Sequence, residues 1–270
     1  FWNSKDVKVN TQYETILVNK YDRWVRLILN RPEVKNALSE KMTIELLSVL
    51  EDIKEDKNIR GVSIEGAGDA FCAGADLKDF RRNFVFQTPQ FDQVRSMNLE
   101  AGRLFKKLSQ LPKIVVALVH GPAFAGGLGM VACADIVAVT EKARFSLSET
   151  AIGLTPAQIS PFLIKRLGLR IASKLMLTGM EFDAKEAIEF GLADNIVKNK
   201  DGLDDFFKSF DDATRKCAPM ATAATKEILS FSRDSSLEEL SDFASGKFAE
   251  CMLGDEAKEG LAAFAEKRKP

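Results

Sequence analysis

The strongest constraint on the fold is the stretch of residues 119–153, which alternates apolar runs with turns of small residues. The apolar run at 114–118 predicts a strand, and His120-Gly121-Pro122 must end it because proline cannot join the middle of a sheet. Ala125-Gly126-Gly127 then opens an apolar helix over 128–134. Glycines at a helix start let the backbone approach a ligand and leave N–H groups available to negative charge.

The same arrangement occurs earlier in the chain. Residues 61–65 predict a strand, residues 71–77 (FCAGADL) supply a turn of small residues, and a helical start follows. Two such turns can each offer one backbone N–H to a single oxygen atom, which is the physical requirement of an oxyanion hole. Either turn alone is more often a packing solution, so the hypothesis depends on the pair.

Four motifs follow one another along the chain: NRPEVKNALS at 30–39, AFCAGADLKDF at 70–80, HGPAFAGGLGM at 120–130 and FSLSETAIGLTPAQ at 145–158. With the tail AKEGLAAFAEKRKP at 257–270, they make the chain resemble the enoyl-CoA hydratase/isomerase (crotonase) superfamily from end to end. The resemblance implies an α/β fold: a crotonase-like β-β-α spiral core with the acyl-CoA site in residues 1–200, and a C-terminal helical trimerisation region in 201–270. It also implies a homo-oligomer, either a trimer or a hexamer.

The residues alone predict an α/β protein but leave its architecture open, since three strand-turn-helix units also fit another α/β fold. Residues 15–18 and 24–29 predict a hairpin, and Ser39 is a suitable N-cap for a helix whose inner face carries Met42, Leu46, Leu47, Leu50 and Ile53. A further helix is predicted from Met97 to Leu111. After Pro161 the pattern predicts helices at 162–167, 171–178, 184–190, 203–216, 221–231 and 237–251, with 192–197 as the one late strand.

Composition argues against several other classes of protein. A formal net charge of −1 gives no electrostatic case for binding nucleic acid or a membrane. No apolar run is long enough to span a membrane and no secretory signal opens the chain, so we expect the cytoplasm, with an organellar matrix as the alternative because residue 1 is Phe1. The single histidine, His120, and four scattered cysteines predict buried thiols and argue against a catalytic triad or a metal site.

The resemblance assigns roles to residues of the two turns. The N–H groups of Ala75 and Gly126 would stabilise the carbonyl oxygen of an acyl-CoA thioester, and small side chains there leave room for it. The residues expected to contact coenzyme A are Lys35, Ala73, Ala75, Asp76, Leu77 and Gly126, with Phe264 and Lys267 from a neighbouring subunit. Coenzyme A would arrive as part of the substrate, so no separate cofactor is expected.

The acid–base residues depart from the commonest pattern of the resembled family. Two-glutamate hydratases carry one glutamate three residues beyond the central oxyanion glycine and a second near the end of the FSLSE-like strand. Here the second is present as Glu149, whereas Gly129 occupies the first position. Glycine transfers no proton, so Glu149 is the expected sole catalytic carboxylate, with a pKa raised by an apolar pocket. Gly129→Glu is expected to restore the pair and raise hydration.

Three functions remain open. The first is hydration of the 2,3 double bond of an enoyl-CoA, since LTPAQISPF at 154–162 and KCAPMATAATK at 216–226 resemble hydratases of branched glutaconyl-CoA esters, of the methylglutaconyl and isohexenylglutaconyl types. The second is double-bond isomerisation, for which one glutamate suffices, and the third is a degenerate acyl-CoA-binding protein. The carboxylate of a branched glutaconyl group would need a cation, for which the candidates are Arg81, Arg82 and Lys165. Residues 81–95 predict either a mobile loop over the acyl group or a plain surface loop.

Overall fold

A computed structural model describes residues 8–10, 13–76, 78, 90–232 and 235–269 of the chain. The chain forms two compact units, Phe1–Lys208 and Ser209–Pro270. The division falls inside the helix Lys200–Thr214, and the expected boundary between residues 200 and 201 stays a prediction. Leu77, Arg81 and Arg82 lie outside the described residues, as does most of the predicted loop at 81–95.

The strands, in chain order, are β1 (Lys8–Asn10), β2 (Ile16–Tyr21), β3 (Trp24–Leu29), β4 (Gly61–Gly66), β5 (Ile114–Val119), β6 (Pro122–Phe124), β7 (Ile136–Thr140), β8 (Arg144–Ser146), β9 (Phe182–Asp183) and β10 (Asn195–Val197). Over the described residues, seven of them form one sheet in the order β1-β2-β3-β4-β5-β7-β10. The β2–β3 pair is antiparallel, which confirms the predicted hairpin, and β3, β4, β5, β7 and β10 run parallel.

The second sheet has the order β6-β8-β9, and its first two strands directly follow β5 and β7 along the chain. They pair in parallel, and Cys72, which follows β4, bridges Ala123 of β6. The segments that follow β4, β5 and β7 therefore lie side by side, each paired with the next. This repetition confirms the predicted β-β-α spiral. Since β4 and β5 are parallel, the two small-residue turns meet at the same edge of the large sheet.

The helices of the described residues are α1 (Glu40–Glu55), α2 (Phe91–Gln110), α3 (Gly126–Cys133), α4 (Ser160–Thr178), α5 (Ala184–Glu189), α6 (Lys200–Thr214), α7 (Pro219–Phe231), α8 (Leu237–Leu253) and α9 (Asp255–Ala265). Short 3₁₀ helices occur at Pro32–Val34 and Ser148–Ile152. The second unit is thus wholly helical among its described residues, as the sequence predicts. None of the helices within the described ranges has the length and apolar character needed to span a membrane.

Helix α1 shows how the sequence determines local structure. The Ser39 hydroxyl accepts a hydrogen bond from the N–H of Met42, which confirms the predicted N-cap. The inner face is apolar except for Glu45, whose burial the sequence pattern did not predict. The Glu45 carboxylate accepts the N–H groups of Glu14 and Thr15 (3.0 and 2.9 Å), and these bonds offset the cost of burying it.

The break expected between the helices at 162–167 and 171–178 is present, because α4 is interrupted at Gly168, whose φ of 75° and ψ of 156° are not helical. Three other features differ from the prediction. Helix α9 was not predicted, β9 is a second late strand, and α2 begins at Phe91 rather than Met97. Strand β9 has only two residues, so it carries no clear periodic signal.

Large aromatic side chains fill the core of the first unit. Trp24 of β3 contacts Phe207 of α6 edge to face, with ring centroids 4.9 Å apart. Phe145 of β8 stacks on Phe182 of β9 at 5.2 Å. All four rings are almost fully buried, so they fix both sheets in position by burying apolar area.

Candidate active site

The first turn, residues 71–76, carries one backbone N–H that no described acceptor receives. The other five N–H groups donate hydrogen bonds: those of Phe71 and Cys72 to the carbonyl of Pro122 (2.9 and 3.1 Å), that of Ala73 to the carbonyl of Lys35 (2.9 Å), that of Gly74 to Sγ of Cys72 (3.4 Å) and that of Asp76 to the carbonyl of Leu38 (3.0 Å). The remaining N–H belongs to Ala75, which is exposed. Backbone N–H groups of folded proteins are normally paired, so the N–H of Ala75 is available to a ligand.

The segment before α1 holds this turn in place. The N–H of Leu38 donates to the carbonyl of Gly74 (2.7 Å), and the guanidinium of Arg31 binds the buried carboxylate of Asp76 (2.8 Å). Burial alone would raise the pKa of Asp76, but hydrogen bonds from Arg31 and from the N–H of Lys78 hold it below its ordinary value. The carboxylate of Asp76 is therefore bound within the protein, and its predicted contact with coenzyme A stays a prediction.

The second turn presents an uncapped helix start. Ala125 has φ 48° and ψ −119°, a conformation that strains any residue with a side chain. Its N–H donates to the carbonyl of Ser146 (2.9 Å), and Gly126 then begins α3 without a side-chain cap. Among the described residues, no acceptor receives the N–H of Gly126. The start of α3 is thus a favourable place for an oxygen that gains negative charge.

The two turns are in direct contact. Gly74 has φ 95°, and a Cβ placed on it would lie 2.7 Å from Cβ of Ala125 and 3.6 Å from the backbone nitrogen of Gly126. Only glycine fits there, because the approach is closer than a side chain allows. The peptide that carries the N–H of Ala75 therefore neighbours the N–H of Gly126. The two unpaired donors therefore lie on adjoining turns, as an oxyanion hole requires.

Glu149 lies in the 3₁₀ helix Ser148–Ile152 rather than at the end of a strand. Ser146, three residues earlier, pairs with Phe124 and receives the N–H of Ala125, so this segment is tied to the second turn. Oε2 of Glu149 is buried, and no described residue donates a hydrogen bond to it. Burial raises the pKa of Glu149 above its ordinary value of 4.5, against the hydrogen bond of its own backbone. A partly desolvated carboxyl with a raised pKa is a suitable group for proton transfer.

The position that would hold a second carboxylate is filled by apolar groups. A Cβ placed on Gly129, in the first turn of α3, would overlap the side chain of Ile159 and lie 3.0 Å from Cε1 of Phe105. Cζ of the same phenylalanine lies 3.7 Å from the corresponding point on Gly126. The wall beside the second donor is therefore apolar, and it lacks space for a side chain at residue 129.

His120 has a structural role at the end of β5. Its Nε2 lies 3.0 Å from the carbonyl of Gly68, and its own carbonyl accepts the hydroxyl of Thr140 (2.9 Å). Burial, with the nearby charge of Lys200, lowers the pKa of His120 to about 4, so the ring is neutral near pH 7. Across the described ranges, no three side chains of His, Cys, Asp or Glu come together as metal ligands. Two of the four cysteines, Cys217 and Cys251, are not fully buried, contrary to the expectation for all four.

The remaining predicted contacts with coenzyme A lie in different parts of the chain. Lys35 has an exposed side chain, and its carbonyl receives the N–H of Ala73, so both border the first turn. Phe264, which is 85% exposed, and Lys267 belong to the second unit. Leu77 is outside the described residues. The contacts of these residues with coenzyme A stay predictions.

Two residues that support the site were not identified from the sequence, although both lie in the motif at 30–39. One is Arg31, which binds Asp76. The other is Asn36, which is fully buried and donates from Nδ2 to the carbonyls of Ala67 and Ala70 (2.8 Å each). Asn36 has φ 56°, and asparagine tolerates this left-handed conformation better than most residues. Pro32 and Asn36 are residue types that favour turns, but the sequence does not indicate what the side chains of Arg31 and Asn36 contact.

Comparison with known proteins gives the same family over most of the chain. The sequence profile described as enoyl-CoA hydratase/isomerase matches residues 23–270. A putative enoyl-CoA hydratase of Thermus thermophilus is 36% identical over 244 residues, covering 90% of this chain and 95% of the relative. A carnitinyl-CoA dehydratase of Proteus mirabilis is 32% identical and covers 91% and 93% of the two chains.

Solved structures extend this similarity to the fold. Pseudomonas aeruginosa AtuE superimposes with a TM-score of 0.91 at 37% identity, covering 95% of this chain and 98% of that one. An enoyl-CoA hydratase/isomerase from Marinobacter aquaeolei gives a TM-score of 0.91 at 33% identity with the same coverage. Taken with the two adjoining donor turns and Glu149, these similarities show that the chain belongs to the enoyl-CoA hydratase/isomerase family, with its crotonase fold.

Proposed function

We propose that the protein is an enoyl-CoA hydratase that adds water across the 2,3 double bond of an acyl-CoA thioester. The proposal is carried by the partly desolvated carboxyl of Glu149 and by two unpaired backbone donors, on segments joined by the hydrogen bond from the N–H of Ala125 to the carbonyl of Ser146. Six of the relatives are named enoyl-CoA hydratases, among them a short-chain enzyme of Clostridium acetobutylicum. Their names support hydration for this chain but do not define its substrate.

The residues divide the reaction between charge stabilisation and proton transfer. The thioester oxygen accepts the N–H groups of Ala75 and Gly126, which stabilise the negative charge that it gains as water adds. One such donor is typically worth about 10²–10³ in rate. Glu149 takes a proton from water as the water oxygen bonds to C3, and the same carboxyl returns a proton to C2. One water molecule is added, and the carboxylate is regenerated.

Isomerisation of the double bond is the second candidate. Gly129 carries no acid, and Ile159 with Phe105 fills the space beside it. A single carboxylate is sufficient to remove a proton at one carbon and return it at another. A degenerate acyl-CoA-binding protein is less well supported, because both donors and the carboxyl are retained.

We favour a branched glutaconyl-CoA as the substrate on the resemblance of the segments 154–162 and 216–226. Its free carboxylate would need a cation within reach of the acyl group. Lys165 is exposed on α4, and the other two candidates, Arg81 and Arg82, lie outside the described residues. The choice of substrate therefore rests on the resemblance.

A homotrimer or a dimer of trimers remains our proposal for the assembly. The second unit exposes large apolar side chains that an isolated chain would leave in water, including Leu229, Phe248, Leu253 and Phe264. A protein that stays monomeric by light scattering at micromolar concentration would contradict this proposal.

The activity is tested by incubating the protein with a panel of enoyl-CoA esters and analysing the products by mass. Hydration adds the mass of one water molecule, whereas isomerisation leaves the mass unchanged and alters the chromatographic position. We expect a hydrated product, fastest with a branched glutaconyl-CoA. Tight binding of the esters without any product would instead favour the degenerate binder.

A further inference from the structure

Cys72 connects the two donor turns through its backbone. Its carbonyl accepts the N–H of Phe124 (2.9 Å), and it bridges Ala123 in the ladder of the second sheet. A Cβ placed on Gly127 would overlap the carbonyl oxygen of Cys72 and lie 2.9 Å from its Cβ. The first turn of α3 therefore packs directly on Cys72, which is itself fully buried.

The thiol of Cys72 contacts the residue that precedes the first donor. Its Sγ accepts the N–H of Gly74 at 3.4 Å and lies 4.0 Å from the carbonyl oxygen of that residue. Gly74, with φ 95°, is the conformationally least restricted residue of the turn, and its carbonyl belongs to the same peptide as the N–H of Ala75. Its N–H belongs to the preceding peptide, so the sulfur holds one side of Gly74, whereas the N–H of Leu38, which donates to the carbonyl (2.7 Å), holds the other.

We propose that Cys72 is a positioning residue: its sulfur accepts the N–H of Gly74 and, together with the N–H of Leu38 on the carbonyl of Gly74, fixes the direction in which Ala75 donates to the substrate oxygen. The inference rests on the proposed function insofar as Ala75 is an oxyanion donor. Sulfur is a weak acceptor, but without it the buried N–H of Gly74 would lack a partner and would favour another turn conformation.

Such a role predicts a selective kinetic effect. The N–H of Ala75 matters most when negative charge gathers on the oxygen, so poor alignment raises the barrier more than it weakens binding. Cys72→Ala removes the acceptor, and Cys72→Ser supplies a hydroxyl oxygen in the same place. Cys133→Ala on α3 is the matched control, because it removes a second buried thiol.

The test measures kcat and KM with the best ester of the panel, together with hydrogen exchange in peptides that cover residues 70–76. We expect Cys72→Ala to lower kcat by about tenfold or more, to change KM by less than about threefold and to speed exchange in that peptide. Cys72→Ser should restore both quantities to within about threefold of the parent. Cys133→Ala should leave both unchanged.

Parental kcat and exchange in Cys72→Ala would overturn the inference, and so would a Cys72→Ser protein as impaired as Cys72→Ala, because volume alone would then explain the loss. If Cys72→Ala does not fold, Cys72→Val takes its place as the variant without an acceptor. If the parent hydrates no ester, the proposed function fails, and the exchange comparison alone decides whether the sulfur holds the turn.

Discussion

The backbone of Gly129 lies directly against the side chain of Ile159, which leaves no room for a Cβ atom between them. Ile159 comes from the segment that follows Glu149, whereas Gly129 lies one helical turn beyond the donor Gly126. Residue 129 therefore supplies no carboxylate, and Ile159 occupies the space in which one would lie. This packing leaves no space for a second carboxylate at residue 129, so our proposal assigns the proton transfer to Glu149 alone.

Gly129→Glu is accordingly expected to lower stability, contrary to the expectation from sequence that it restores a hydratase pair. Forcing a larger side chain into a packed core typically costs about 1–3 kcal/mol. Denaturant unfolding of the parent and the variant measures this cost, and crotonyl-CoA hydration measures the effect on activity, which we expect to fall.

Ile159→Ala provides the control for this packing. Alone it should destabilise the protein by leaving a cavity, typically by about 2–5 kcal/mol. Combined with Gly129→Glu it should cost less than the sum of the two single changes, because the new side chain fills the space. A Gly129→Glu protein that is as stable as the parent and hydrates faster would show that Ile159 does not block the position.

The N–H of Gly126 can be removed with a matched control. Both Gly126→Pro and Gly126→Ala introduce a Cβ 2.9 Å from Cδ1 of Leu38, but only alanine retains the N–H. Proline is tolerated at the first position of a helix, so α3 should form in both proteins. We expect kcat of the proline variant to be about 10²-fold below that of the alanine variant. Equal kcat values in the two would exclude Gly126 as a donor.

The buried carboxyl of Glu149 makes stability depend on pH in a defined direction. Its pKa is raised by burial in the folded protein, so the folded state holds this proton over a window in which the unfolded state has lost it. In that window the free energy of unfolding falls as pH rises, because the unfolded state binds fewer protons. The window begins near the ordinary value of 4.5 and ends at the raised pKa.

Glu149→Gln removes this titration, so it should become more stable relative to the parent as pH rises through the window. Denaturant unfolding of both proteins at a series of pH values gives the difference directly. Hydration by the parent should also decline as pH falls through the raised pKa, since the base must be ionised. A stability difference that does not vary with pH would contradict the raised pKa.

The ion pair of Arg31 with Asp76 should stabilise the conformation of the first turn. Arg31→Gln leaves the buried carboxylate without its charged partner, which we expect to cost roughly 1–3 kcal/mol in the free energy of unfolding. Adding Asp76→Asn removes the charge that needs a partner, so the double variant should be less destabilised than the two single changes together. Additive effects in this cycle would mean that the pair does not hold the turn.

The site was predictable from sequence where its chemistry depends on local backbone. Small residues after strands predict both donor turns, and the cap at Ser39 follows from its residue type. The partners of Arg31, Asn36 and Cys72 were not predictable, because they join segments brought together only by the tertiary fold. For the same reason, the sequence shows that residue 129 lacks a carboxylate but does not show that Ile159 fills its place.

The central claim is that Glu149 alone moves the protons of the reaction, and Glu149→Gln tests it most directly. The variant keeps the shape of the side chain, so it should bind butyryl-CoA, a saturated thioester that undergoes no hydration, as tightly as the parent does. Glu141→Gln, which alters an exposed glutamate after β7, is the control and should leave turnover unchanged. We predict that Glu149→Gln lowers kcat for the best enoyl-CoA ester by at least about 10²-fold. Parental kcat in Glu149→Gln would show that another group carries the proton and would contradict this account of the site.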